Sequence, residues 1–162
     1  MNDLLSFKRN AMMLGLCTSY KDKWDEATSK EALMDIALDS NGVEMLTDAA
    51  AFGWGMDIQY LKRTFSGYIN GKWKRNKDGY TSCLYVDFNG QIEQDCTLTT
   101  VLSSKVEFHV PEGSVCKLYV GGESTAHITG EGVCYVYSYG HNDVTGRFKS
   151  MNCITKSEWA KD

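Results

Sequence analysis

The sequence predicts an α+β protein in which a helical packet is followed by a short β-solenoid-like domain with coils of about 18 residues, a β-sandwich being the competing arrangement. Two patterns carry this. Apolar residues recur at helical spacing as far as Phe65, and from Tyr80 onward they alternate with polar ones in short runs. Between them lie Asn70-Gly71 and Asp78-Gly79, the strongest turn signals in the chain. The expected organisation is a helical unit over 1–66, a β-hairpin connector over 67–79 and a β-repeat unit over 80–162.

The elements follow in order. Leu4, Leu5, Ala11, Met12 and Leu16 share one side of a first helix. Thr28, with Glu31 three residues on, forms a capping box for a second helix, which carries Leu33, Ile36 and Leu38 and breaks at Asn41-Gly42. A third runs from Val43 to Phe52, and a fourth begins near Asp57 and carries Ile58, Leu61 and Phe65. Ala49, Gly53 and the Trp54-Gly55-Met56 turn give the last pair a loose helix–turn–helix spacing, with Gln59, Lys62, Arg63 and Thr64 on the second helix.

In the second half, VEFHV, VCKLYV, TAHIT and VCYVYS recur about every nine residues. At twice that offset Leu98 falls on Cys116 and Cys134, Tyr119 on Tyr137, Leu118 on Val136, Val110 on Ile128 and His109 on His127, and one added residue brings Cys134 to Cys153. Vertical matching of this kind is what stacked coils produce. Alternation sends Val106, Phe108, Val110, Cys116, Leu118, Val120, Ala126, Ile128, Cys134, Val136 and Ser138 inward. The open ends of such a stack need covers, and the helical packet is expected at one, with a short helix capped by Thr155 and Glu158 and bearing Trp159 at the other.

Composition bounds the function. In 162 residues, 43% are hydrophobic and 23% charged, a globular balance without a run long enough to span a membrane. The start, MNDLLSFKRN, has no long apolar core of a secretion signal, so a soluble cytoplasmic protein is expected, with its six cysteines reduced. These form no C-x-x-C and no zinc-type spacing with histidine, and no metal or other cofactor is expected. The net charge of −4 argues against a bulk nucleic-acid coat.

Two sets of residues are candidates for contact with a partner. The outward rows hold His109, Lys117, Tyr119, His127, Tyr135, Tyr137 and Tyr139, an amphipathic strip suited to a protein surface or a glycan. Strand propensity alone also enriches tyrosine. The second set is basic: Lys62, Arg63, Lys72, Lys74 and Arg75, with Trp73 among them, lie in a stretch free of acid, and they support an alternative in which the helix–turn–helix-like segment and hairpin bind nucleic acid. Catalysis finds no motif. G-x-S-x-G and a P-loop lysine are absent, and inward Cys116 and Cys134 cannot pair with outward His109 and His127 as dyads.

Taken whole, the helical packet, the junction GWGMDIQYLKRTFSGYINGKW and the repeat-built β tail resemble uncharacterised small two-domain proteins carried by prophages and other bacterial mobile elements. The likeness is one of layout and assigns no functional residue. It implies a noncatalytic accessory or interaction protein of bacterial or phage origin, and the outward tyrosine and histidine strip is expected to take another protein or a second copy of the chain as partner.

Overall fold

Three helices and ten strands are present in a computed structural model that describes residues 26–52 and 57–153. Helix α1 spans Lys30–Ala37, α2 Ser40–Phe52 and α3 Ile58–Thr64. The expected first helix, the Trp54-Gly55-Met56 turn and the helix bearing Trp159 lie outside the described residues.

Local chemistry sets the helix ends, with two corrections to the sequence reading. Ser29, not Thr28, caps α1: its backbone is extended and its hydroxyl accepts from the Ala32 amide at 3.1 Å. The shift leaves Glu31 too early in the helix to reach back to the cap, and its carboxylate accepts from the Tyr68 hydroxyl instead. Nor does Asn41-Gly42 sit between helices. It lies in the first turn of α2, where the Asp39 side chain accepts from the Asn41 amide at 3.2 Å. Glycine is required there because a Cβ on Gly42 would meet the Ile36 carbonyl oxygen at 2.2 Å. Helix α3 begins as expected, capped by Asp57.

The strands β1 (Lys74–Lys77), β2 (Tyr80–Val86), β3 (Asn89–Glu93), β4 (Leu98–Leu102), β5 (Lys105–His109), β6 (Val115–Gly121), β7 (Thr125–Thr129), β8 (Val133–Ser138), β9 (Asp143–Gly146) and β10 (Lys149–Ser150) form a β-solenoid. Each of about four coils contributes one strand to a six-stranded sheet, ordered β1-β2-β4-β6-β8-β10, and one to a four-stranded sheet, β3-β5-β7-β9. All ladders are parallel except that of β1 with β2. Continuous parallel stacking of this sort excludes the β-sandwich, whose sheets are antiparallel. The hairpin is closed by Asp78-Gly79, both at positive φ, with Lys77 opposite Tyr80. At Asn70-Gly71 the chain also turns with positive φ, but no strand precedes it. Asn70 instead ties the connector to β2, donating its amide to the Leu84 carbonyl and accepting from the Val86 amide.

Register is where the repeat departs most from expectation. An offset of 18 holds between β6 and β8, so Cys116 faces Cys134, Leu118 faces Val136 and Tyr119 faces Tyr137. Other coils differ. Leu98 faces Lys117, not Cys116; Val106 and Phe108 face Ala126 and Ile128, so Ile128 is not matched to Val110; and Ser150 faces Val136, which takes Cys153 out of the cysteine row. The corner Val110–Ser114 lengthens one coil, and each change of corner length slides the next strand by the same number of residues. Every inward assignment from Val106 to Val136 holds, all eleven apart from half-buried Ser138 being buried.

The described helices α1–α3 do not cap an end of the solenoid. They lie on the outer face of the six-stranded sheet, where Leu33, Met34, Leu38, Val43, Leu46, Leu61 and Phe65 form one core with Leu84, Val86, Leu98, Leu102, Tyr119 and Tyr139. The reason is in the outward residues themselves: β4 is LTTVL, apolar on both sides, and all five of its residues are buried. Close approach depends on Gly121, where a Cβ would meet Thr47 Cγ2 and the Thr47 carbonyl oxygen, each at 2.9 Å. Gly121→Ala is expected to cost roughly 1 to 3 kcal/mol by pushing α2 off the sheet, measured by denaturant unfolding. Cys134→Lys, which puts an unpaired charge beside Cys116 in the narrow interior, should cost roughly 3 kcal/mol or more. An unchanged melting temperature for Cys134→Lys would contradict the inward placement.

Candidate functional site

The basic run is largely consumed inside the molecule. Alternation along β1 turns Arg75 toward the helices, where it is 5% exposed and meets Asp35 at 3.0 Å and Asp39 at 3.4 Å while donating to the Tyr80 hydroxyl. Lys62 is paired with Asp87 and Lys74 with Asp95. Lys72 donates to the Ser66 carbonyl, and Trp73 packs edge-on against Tyr68 with ring centroids 5.5 Å apart. Of the candidate nucleic-acid contacts, only Arg63 and Lys72 are exposed cations that no acidic side chain is seen to neutralise among the described residues. Acidic residues remote in sequence supply the balance, so a stretch without acid in the chain is not a field without acid in space.

The histidines occupy a different surface from the tyrosines. Both lie on the outer face of the four-stranded sheet, but they do not stack. His127 faces Glu107, and His109 faces Thr129 on one side and Glu93 on the other, because the coil between β5 and β7 is longer than 18 residues. His109 Nδ1 lies 2.8 Å from Glu93 Oε1, and His127 Nδ1 lies 2.8 Å from Thr145 Oγ1. Gln91 donates to Glu107 at 3.3 Å. The face is flat, polar and open, with shallow depressions along Gln91, Glu107 and His109 and along Lys105, Glu107 and His127.

The tyrosine strip itself divides. Tyr119 and Tyr139, expected outward as contacts, do point away from the solenoid interior but are 3% and 2% exposed, because the helices cover them. Burial pushes both phenols well above their ordinary value of 10.0. Tyr137 stacks on Tyr119, rings 4.6 Å apart and nearly parallel, at the edge of that cover. Tyr135 and Lys117 remain accessible beyond it. Lys117 Nζ lies 5.9 Å from the Tyr137 ring centre and Lys149 Nζ 5.7 Å from that of Tyr135, so cations bracket the half-exposed rings.

At this margin the step between helix and sheet makes a groove. Leu98, Val115, Cys116, Lys117 and Tyr135 line it from the sheet, Tyr80 and Thr97 from the first coils, and Ser40 from the start of α2. Val115 is 59% exposed, the most exposed of the large apolar side chains among the described residues. Sequence reading found Lys117 and Tyr135 here but missed Val115, Tyr80 and Ser40. Val115 alternates with inward Cys116 and so falls on the outer face, yet nothing in the chain marks where the helical cover ends. Also missed was the approach of Cys83 and Cys96 to Asp95.

No protein-family model, curated protein or solved structure matches the chain. No helix among the described residues is long and apolar enough to cross a membrane.

The buried phenols make a pH dependence. Above pH 10 an unfolded chain gives up tyrosine protons that the folded chain keeps on Tyr119 and Tyr139, so the unfolded state binds fewer protons and stability falls as pH rises. Tyr119→Phe and Tyr139→Phe are each expected to flatten this alkaline limb, measured as melting temperature between pH 9 and 11.

Proposed function

We propose that this chain is a noncatalytic binding module that takes a protein partner, another chain or a second copy of itself, in the groove between α2 and the uncovered margin of the six-stranded sheet. The observation that carries this reading is the exposed Val115 beside a half-exposed Tyr135 and the lysines that bracket the tyrosine pair. A large apolar side chain left in water next to an aromatic ring is the usual composition of an interface centre. The exposed Val115 suits a partner that offers it an apolar side chain, and Lys117 one that offers a carboxylate. Tyrosine adds contact area at low entropic cost because its side chain has few torsions to fix.

A glycan would also use tyrosine faces, but Tyr119 and Tyr139 are buried under the helices and one face of Tyr137 lies against Tyr119. Nucleic acid through the basic run is less well supported, since Lys62, Lys74 and Arg75 already have carboxylate partners.

A photoreactive phenylalanine derivative placed at Tyr135 is expected to form covalent adducts with the partner or with a second copy. The same group at Glu107, on the opposite sheet, should form none. Val115→Asp and Lys117→Glu should each reduce adduct yield about tenfold, the effect of losing one contact of about 1.4 kcal/mol. Equal labelling from both faces overturns the assignment, as does tight DNA binding at about 50 mM salt that weakens by orders of magnitude at about 200 mM.

A further inference from the structure

The corner between β3 and β4 brings together two buried thiols and a carboxylate. Cys83, on β2, points into the solenoid and is 1% exposed, and Cys96, in the corner, is wholly buried. Asp95 precedes it and faces solvent. One ligand atom from each of the three lies within 4.8 Å of the other two. We propose that Cys83, Cys96 and Asp95 bind a divalent thiophilic cation, zinc being the best match, with a fourth position open to water.

Ligand chemistry, geometry and charge agree on this. Two thiolates and a carboxylate form a soft, anionic set of the kind that selects zinc over magnesium or calcium. Tetrahedral bonds of about 2.3 Å to sulfur and about 2.1 Å to oxygen place ligand atoms about 3.5 to 3.8 Å apart, so the set closes with an adjustment of about an ångström. Binding releases both thiol protons to solvent and leaves three negative charges on the ligands. Lys74, directly opposite Cys83 in the β1–β2 ladder and paired with Asp95, adds one positive charge to the two of the cation. The site is then neutral, which removes the main cost of gathering charge at the edge of an apolar interior. Lys74 and Thr99, whose hydroxyl oxygen is 3.8 Å from Cys83 Sγ, orient the ligands from outside the coordination sphere. Exposed Asp95 marks the route of entry. Cys116 and Cys134 are equally buried and adjacent, but among the described residues no carboxylate or imidazole completes a set of three around them.

The test is a titration of the fully reduced chain with Co2+, followed through thiolate-to-metal charge-transfer absorption, then displacement by Zn2+. One equivalent is expected to bind, with the band lost in Cys83→Ser and Cys96→Ser and retained in Cys116→Ser. Asp95→Asn changes an exposed side chain, so it keeps the fold even where a buried cysteine variant does not, and it should weaken binding by at least about tenfold. Zn2+ at a hundredfold excess over Kd should raise the melting temperature of the unmodified chain by roughly 5 to 10 °C. Absence of the band, its persistence in Cys83→Ser, unchanged affinity in Asp95→Asn, or a melting temperature indifferent to Zn2+ would each overturn the site.

Discussion

Burial of the six-stranded sheet on both faces is the constraint on which the other features depend. Its inner face closes on the four-stranded sheet through Val101, Cys116, Leu118, Val120, Cys134 and Val136, and its outer face closes on the helices through Leu84, Val86, Leu98, Leu102, Tyr119 and Tyr139. A parallel coil cannot bury both faces alone. Helices α1–α3 are therefore part of one packed structure with the strands, and Arg75, held between β1 and the acids Asp35 and Asp39, is a charged element of that junction.

From this arrangement come the two unlike surfaces of the molecule. Among the described residues no helix covers the four-stranded sheet, which carries imidazoles, carboxylates and threonines whose side chains satisfy one another along the ladder. Along the six-stranded sheet the cover stops short of Val115 and Tyr135, and an apolar step remains in water. Self-satisfied polar rows leave little for a partner to gain, because each new contact must replace an existing one. Uncovered apolar surface has no such competitor, and for this reason the binding proposal is placed at the step.

The first coil differs from the others in kind. Later coils fill their interior with valine, leucine, phenylalanine and paired cysteines, whereas the β3–β4 corner sets two thiols beside Asp95 and its partner Lys74. Thr81 and Thr97 exchange backbone and hydroxyl hydrogen bonds along the same margin, which holds the corner in register with β2. Ligand-type side chains on a corner fixed in this way form a preorganised set and not a chance meeting of loops.

Much of the solenoid was legible in the chain because period-two alternation is local: each strand's inward side follows from its own residues, and the offset of 18 that pairs Tyr119 with Tyr137 needs only two strands to agree. The caps of α1 and α3 came within a residue for the same reason, whereas α2 begins at Ser40, three residues before the expected Val43. What local pattern cannot contain is the sum of corner lengths, and so His109 and His127, aligned on paper, stand on different rows. Nor can it contain partners distant in sequence. Asp87, Asp95, Asp35 and Asp39 neutralise bases that appear unopposed along the chain, and α2 buries Tyr119 and Tyr139 that alternation places outside. The sequence by itself thus determined the class of fold, the inward rows and the outward identity of Lys117 and Tyr135. Only the tertiary structure decided which outward residues meet water, because exposure depends on where a separate element comes to rest.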